Sequence, residues 1–83
     1  MTEKFEFDED YILKVNKVYK KNIKVIAKNK NLTLQELSLS LGYTKNYISN
    51  MCNKKTVILN NGLLHKISIK LNISLVDLSL NIN

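Results

Sequence analysis

The sequence predicts an all-α fold, and three patterns within its 83 residues carry the prediction. Apolar residues recur at helical spacing from about residue 9 to residue 29. Two short helical patterns flank a glycine within residues 32–53. Thr33 with Glu36, and Ser74 with Asp77, place a hydroxyl three residues ahead of an acid, the spacing of a capping box at a helix start. A chain of this length is expected to form one domain over residues 1–83, with a core of modest size.

At the N-terminus, residues 1–8 form an acidic arm, of which MTEKFEF reads as frayed or strand-like. Asp8 can cap the first helix, with Phe7 stapled to Ile12 one turn in. Asp8, Glu9 and Asp10 also suit the positive end of the helix dipole, which explains the Asp8 and Asp10 pair better than acid–base chemistry does. Ile12, Val15, Tyr19, Ile23 and Ile26 make one apolar stripe. Lys14, Lys17, Lys21, Lys24 and Lys28 recur at spacings of 3, 4, 3 and 4 and lie roughly opposite that stripe. Such a ridge is most simply a solvated face. Phosphate contact and binding to an anionic membrane surface are the alternatives. Asn29 to Asn31 break the helical pattern.

Thr33 and Glu36 open a second helix over Leu34–Leu41. Gly42 stands where a chain leaving a helix needs left-handed backbone, a conformation costly to any residue with a side chain. Tyr43 caps the junction, and Thr44 can N-cap a third helix from about Lys45 to Asn53. Leu37, Leu41, Ile48 and Met51 are spaced to pack the two helices together, and Ser38 is small where they must approach closely. Any helical hairpin needs apolar contacts and a turn glycine. Here the small residue, the glycine and four apolar positions coincide in register. The arrangement leaves Lys45, Asn46, Ser49 and Asn50 outward, a face suited to reading a groove of DNA. Lys54, Lys55 and Thr56 follow as a basic loop.

Residues 57–73 admit two readings. Asn60, Asn61 and Gly62 carry the asparagine–glycine signature of a tight hairpin. Ile67, Ile69, Leu71, Ile73 and Leu75 alternate as a strand does. Alternatively, Leu63, Leu64, Ile67 and Leu71 form the core face of a helix from about Asn60 to Leu71. Ser74 and Asp77 then open a short last helix with Leu75 and Leu78 inward.

Charge is basic and unevenly placed, within a formal net of +6. Residues 1–10 carry Glu3, Glu6, Asp8, Glu9 and Asp10 against Lys4, a net of −4. Residues 11–83 carry twelve lysines against Glu36 and Asp77, a net of +10. A basic body of this density attracts polyanions, of which nucleic acid is the commonest. There is no arginine, proline or tryptophan, and the abundance of Lys, Asn and Ile suggests an A·T-rich genome. The longest uninterrupted apolar runs are a few residues, so no membrane span is expected. The acidic N-terminus does not match a secretory signal peptide, and a cytoplasmic protein is expected.

Cys52 is the only cysteine and His65 the only histidine. One thiol cannot form an internal disulfide, and these two residues cannot assemble a metal site. No oxyanion motif accompanies them for nucleophilic catalysis, and two glycines are too few for a phosphate-cradling loop. The expectation is a protein that is not an enzyme and uses no metal or cofactor, with Cys52 filling apolar space at a helix end.

Residues from about 22 to 80 resemble the Cro and phage-repressor helix-turn-helix family, often called XRE-like. LTLQELSLSLGYTKNYISNM (32–51) resembles its helix-turn-helix core, and LLHKISIKLNISLVDL (63–78) its closing pair of helices. The resemblance implies a compact five-helix repressor-type domain, here with an extended N-terminal helix, and favours the helix for residues 57–73. It implies operator binding as a dimer. Base reading then falls on Lys45, Asn46, Ser49 and Asn50, with Tyr47 as a phosphate or thymine-methyl contact. Phosphate binding falls on Thr33 and Gln35, where a helix start offers free N–H groups, and on Asn53, Lys54 and Lys55 after the third helix. Three departures stand out. Leu34 occupies a position where the family often has Gln, with Gln35 as a substitute. Cys52 replaces a common Glu, and Lys54 a common Gly. The N-terminal extension exceeds the family core.

These readings point to sequence-specific binding of double-stranded DNA in transcriptional control. The concrete form is a small stand-alone repressor or autoregulator of a phage, plasmid or gene cluster. It would act as a homodimer through Leu80 and Ile82 on an A·T-rich two-fold operator, since the chain lacks the arginine that most often reads guanine. A protein-interaction module of the same fold, antagonising a regulator without binding DNA, is the rival. The acidic arm motivates it, because a negative segment could shield or mimic DNA. A membrane-surface protein carried by the lysine ridge is the third reading.

Overall fold

A computed structural model describes residues 9–80, with side chains from Tyr11 onward, and these residues form five helices and no strand. Helix α1 spans Glu9–Asn29, α2 Leu34–Ser40, α3 Tyr47–Asn53, α4 Asn61–Leu71 and α5 Leu75–Leu78. α1 is the spine on which the other four pack, with α2 also against α3 and α4 against α5. The expected Asp8 cap, the staple from Phe7, the acidic arm and Ile82 lie outside the described residues. No helix among those described is long and apolar enough to cross a membrane.

The core follows from the apolar spacings. Ile23, Ile26 and Ala27 of α1 meet Leu37 of α2, Ile48 and Cys52 of α3, and Leu78 of α5 in one buried cluster. Leu63, Leu64, Ile67 and Leu71 of α4 complete it together with Leu59. Residues 57–73 therefore take the helical alternative. Asn60 Oδ1 accepts the N–H of Leu63 at 2.8 Å and caps α4. Ile69, which a strand would have placed beside Ile67 and Leu71, is 67% exposed. Four apolar residues on one helical stripe bury more surface against α1 than a two-stranded hairpin could without further strands to pair with.

Three helices end alike. A residue of positive φ follows the last turn: Asn31 at 59°, Gly42 at 87° and Asn72 at 57°. The next N–H then reaches back along the chain, from Leu32 to the Ala27 carbonyl at 2.8 Å, from Tyr43 to Ser38 at 3.0 Å, and from Ile73 to Ser68 at 3.0 Å. This pattern satisfies carbonyls that the helix leaves open and fixes the exit direction of the chain.

Helix starts are more varied. α2 opens on the complete capping box, with Glu36 N–H donating to Thr33 Oγ1 at 3.0 Å and Thr33 N–H donating to Glu36 Oε1 at 2.9 Å. At α5 only half of the expected box forms. Ser74 Oγ accepts the N–H of Asp77 at 3.0 Å, but no return bond is made, because aspartate is one methylene shorter than the glutamate the motif requires. Leu75, expected inward, is 37% exposed. A helix of four residues presents barely one turn to the core, and Leu78 takes that place.

A Cβ added at Gly42 would meet nothing within 4 Å, so replacing this residue tests its backbone alone. Gly42→Ala is expected to lower the unfolding free energy by about 1 kcal/mol, and Gly42→Asn by about half of that, since asparagine tolerates left-handed backbone. Urea denaturation of both variants measures the difference. Equal losses would place the cost in side-chain contacts rather than in φ.

Candidate nucleic-acid interface

The geometry of the α2–α3 unit turns on Ser38. Its side chain is fully buried. Its Oγ donates to the Leu34 carbonyl at 2.8 Å and accepts the N–H of Ile48 at 2.9 Å. The first N–H groups of a helix have no partner within that helix. α3 meets one of these needs from α2 rather than from its own cap.

α3 begins at Tyr47, two residues later than the expected start at Lys45. Thr44 is not its side-chain cap. Instead the Thr44 carbonyl accepts the N–H of Tyr47 at 3.1 Å, and residues 45–46 form a turn. Asn46 occupies the N-cap position without a side-chain capping bond. The bond from Ile48 to Ser38 and the burial of Leu37 and Ile48 against the core fix the helix start from outside the local sequence.

Lys45, Asn46 and Asn50 are exposed together at this end of α3. The other two candidates for base reading are engaged within the fold. Ser49 is half-buried, and its Oγ donates to the Asn46 carbonyl at 3.2 Å. The Tyr47 ring stacks on Tyr43, with centroids 4.2 Å apart and planes at 17°. Lys66 Nζ lies 5.1 Å from the centroid of the Tyr43 ring and donates to its hydroxyl at 3.2 Å, so a cation and two rings buttress the turn.

The residues expected to meet phosphate flank this end. Gln35 is exposed on the first turn of α2, and Thr33 is exposed at its cap, where its Oγ1 accepts the Glu36 N–H and its O–H is not used by the capping box. Lys54 and Lys55 are exposed after α3. Asn53 Oδ1 accepts from Lys24 Nζ at 2.9 Å, which links the loop to the lysine ridge of α1.

Three polar residues of α1 that the sequence reading overlooked position the segment beyond Asn53 and the chain end. Asn16 and Lys20 are buried. Asn16 Oδ1 accepts the N–H of Leu59 at 2.6 Å. Lys20 Nζ donates to the carbonyls of Lys54 at 2.7 Å and Val57 at 2.5 Å. Asn22, fully buried, donates to the Leu78 carbonyl at 2.7 Å and also to that of Leu80. Its Oδ1 has no partner among the described residues. One signal was available: Lys20 lies off the ridge of Lys14, Lys17, Lys21, Lys24 and Lys28, on the flank between ridge and stripe.

Cys52 is buried against the same helix. Burial pushes its thiol above the ordinary range, while Lys24 and Lys20 pull the other way. A neutral, enclosed thiol is a poor nucleophile. Among the described residues no three His, Cys, Asp or Glu side chains gather as a metal site would require.

Two short helices across a left-handed glycine, with a polar turn exposed at the start of the second, define a helix-turn-helix DNA-binding unit. A helix-turn-helix family model matches residues 23–78. The chain belongs to the Cro and phage-repressor, XRE-like, helix-turn-helix family and is a DNA-binding regulator of that general kind. The match begins inside α1, so Glu9–Asn22 extends that helix ahead of the matched region. No curated protein and no solved structure matches the chain significantly.

Lys20→Met keeps most of the aliphatic stem and removes both carbonyl bonds. It is expected to reduce the unfolding free energy by about 1–3 kcal/mol, because the Val57 carbonyl loses its charged donor and the Lys54 carbonyl keeps only the Val57 N–H at 3.3 Å. Amide hydrogen exchange at Leu59 should accelerate relative to the interior of α4. Unchanged protection at Leu59 would show that the loop is held by other means.

Proposed function

We propose that the chain is a sequence-specific regulator of transcription, a small repressor or autoregulator of the phage, plasmid or gene-cluster kind, reading an A·T-rich two-fold operator as a homodimer. The observation that carries this reading is the joint exposure of Lys45, Asn46 and Asn50 at the start of α3. Asparagine pairs with the N6 and N7 edge of adenine, and lysine donates to guanine. With no arginine in the chain, adenine dominates what this surface can read. Tyr47 and Ser49, engaged in the fold, serve chiefly to orient their neighbours. Gln35, Lys54 and Lys55 hold phosphates on either side, with Thr33 and Asn53 adjacent.

Selection of bound sites from a random duplex pool tests this. The expected consensus is two A·T-rich half-sites with about one G·C pair each, opposite Lys45. A G·C-dominated consensus would overturn it. On the selected site, Asn46→Ala and Asn50→Ala should each cost about 1–3 kcal/mol and relax preference at one position. Lys54→Ala with Lys55→Ala should instead weaken all sequences alike and reduce the slope of log affinity against log salt by about 1–2.

The dimer rests on apolar surface at the α4–α5 end. Ile69 is 67%, Val76 69% and Leu80 54% exposed. Exposed apolar area of this kind fits a second copy, with recognition helices spaced about 34 Å apart on the duplex. The Leu80 side chain points to solvent while its carbonyl is held by Asn22. Leu80→Asp is therefore expected to keep the fold and shift sedimentation from dimer to monomer. A wild-type protein that sediments as a monomer at high concentration would refute the assembly.

A further inference from the structure

α1 from Leu13 to Val25, most of it ahead of the family match, lines a cleft of about 930 Å³ together with the end of α3 and the loop beyond it. Only Asn53 and Lys55 are shared with the proposed DNA interface. Lys14, Lys17 and Lys21 line the cleft on the α1 side, and among the described residues no carboxylate lines it. Leu13, Val25 and Cys52 line it as well. A bare polyanion would use the lysines and leave these three apolar groups unmatched. A ligand that satisfies both parts carries negative charge and large apolar side chains together.

The chain itself holds such a segment. Residues 1–8 (MTEKFEFD) contain Glu3, Glu6 and Asp8 against Lys4, with Phe5 and Phe7 interleaved. In an extended run Glu3, Phe5 and Phe7 would share one face, so that a carboxylate and two rings are presented together, with Glu6 and Asp8 on the other. Eight residues reach up to about 26 Å when extended. From Glu9, Leu13 and Lys24 lie only about 6 and 22 Å along the helix axis, so the segment is long enough to double back over the cleft. We propose that this cleft is a docking site for an acidic, phenylalanine-bearing peptide, and that its occupant is the chain's own residues 1–8. The proposal goes beyond the DNA reading and does not depend on it.

Zero-length crosslinking with a water-soluble carbodiimide tests this on the full chain without DNA, mixing unlabelled and ¹⁵N-labelled protein. The reagent condenses a carboxylate with a lysine amine into an amide, with loss of one water that the carbodiimide takes up as its urea. Links from Glu3 or Glu6 to Lys14, Lys17, Lys21 or Lys55 are expected within single chains. Phe5→Ala with Phe7→Ala should lower their yield at least roughly fivefold, because the apolar contribution to docking is removed. Leu13→Ser, on the cleft side, should lower it as well, with far-ultraviolet circular dichroism confirming helix content. Links found only between differently labelled chains would assign the cleft to a second copy and overturn the proposal. An unchanged yield in the double phenylalanine variant would reduce the effect to tethered charge and also overturn it. Protection of Lys14, Lys17 and Lys21 from acetylation by duplex DNA, without any effect of the phenylalanine changes, would assign the cleft to DNA. Failure on any of these counts leaves the reading of Lys45, Asn46 and Asn50 untouched.

Discussion

The recognition unit depends on one hydroxyl. Ser38 is buried between α2 and α3, donates back into its own helix at Leu34 and accepts the N–H of Ile48 from the next. Its backbone carbonyl also takes the N–H of Tyr43, the bond that closes α2 after Gly42. One residue thus terminates the first helix, starts the second and sets the distance between them. A larger side chain here would force the helices apart. Alanine would fit, but it would leave the N–H of Ile48 without a partner in a buried place, where an unmet donor costs about 1–3 kcal/mol. The turn between the helices gives α3 no side-chain cap: Asn46 makes no capping bond, and Lys45 and Asn46 stay exposed. Fixing α3 from α2 is what releases those side chains for contact with a ligand.

α1 does the same for the rest of the surface. Asn16 and Lys20 hold the backbone of the loop after α3, and Asn22 holds the backbone after α5. Burying three polar side chains in one helix costs desolvation, recovered only where each finds a partner. Lys20 and Asn16 find theirs in carbonyls and an N–H that no regular helix or strand satisfies. The loop is irregular, yet its polar groups are matched from the spine, which is how a short connection can present Lys54 and Lys55 in a defined place.

What the sequence revealed divides by distance along the chain. The box of Thr33 and Glu36 and the left-handed Gly42 involve residues within a few positions of each other, so their spacing is the evidence. The apolar stripe of α1 was legible for the same reason, whereas the spacing of residues 57–73 fitted both a helix and a hairpin. The start of α3 was not legible, because the group that fixes it lies ten residues back in another helix. The place of Lys20 off the ridge was legible, but its role was not, since its partners are backbone carbonyls 34 and 37 residues away. Of the five residues expected to read bases, the sequence could not reveal that Tyr47 is spent on stacking with Tyr43 and Ser49 on a turn carbonyl.

Two departures from the family pattern, Lys54 and the extension of α1, are linked through Lys20. Lys54 stands where a glycine is common, yet its φ of −95° and ψ of 118° are extended values that any residue adopts. The chain does not turn there by visiting left-handed space; it is drawn round by Lys20, which binds the carbonyls on both sides of the bend. A lysine can therefore occupy the position and add a charge at the surface. Lysine suits this site less through geometry than through charge, since an ammonium is a compact donor without the planar fork that makes arginine directional. A protein whose basic chemistry is all lysine gains affinity for phosphate without orientation, so orientation has to come from the backbone that carries the lysines. The extension of α1, where Asn16 and Lys20 reside, supplies that orientation to the backbone after α3.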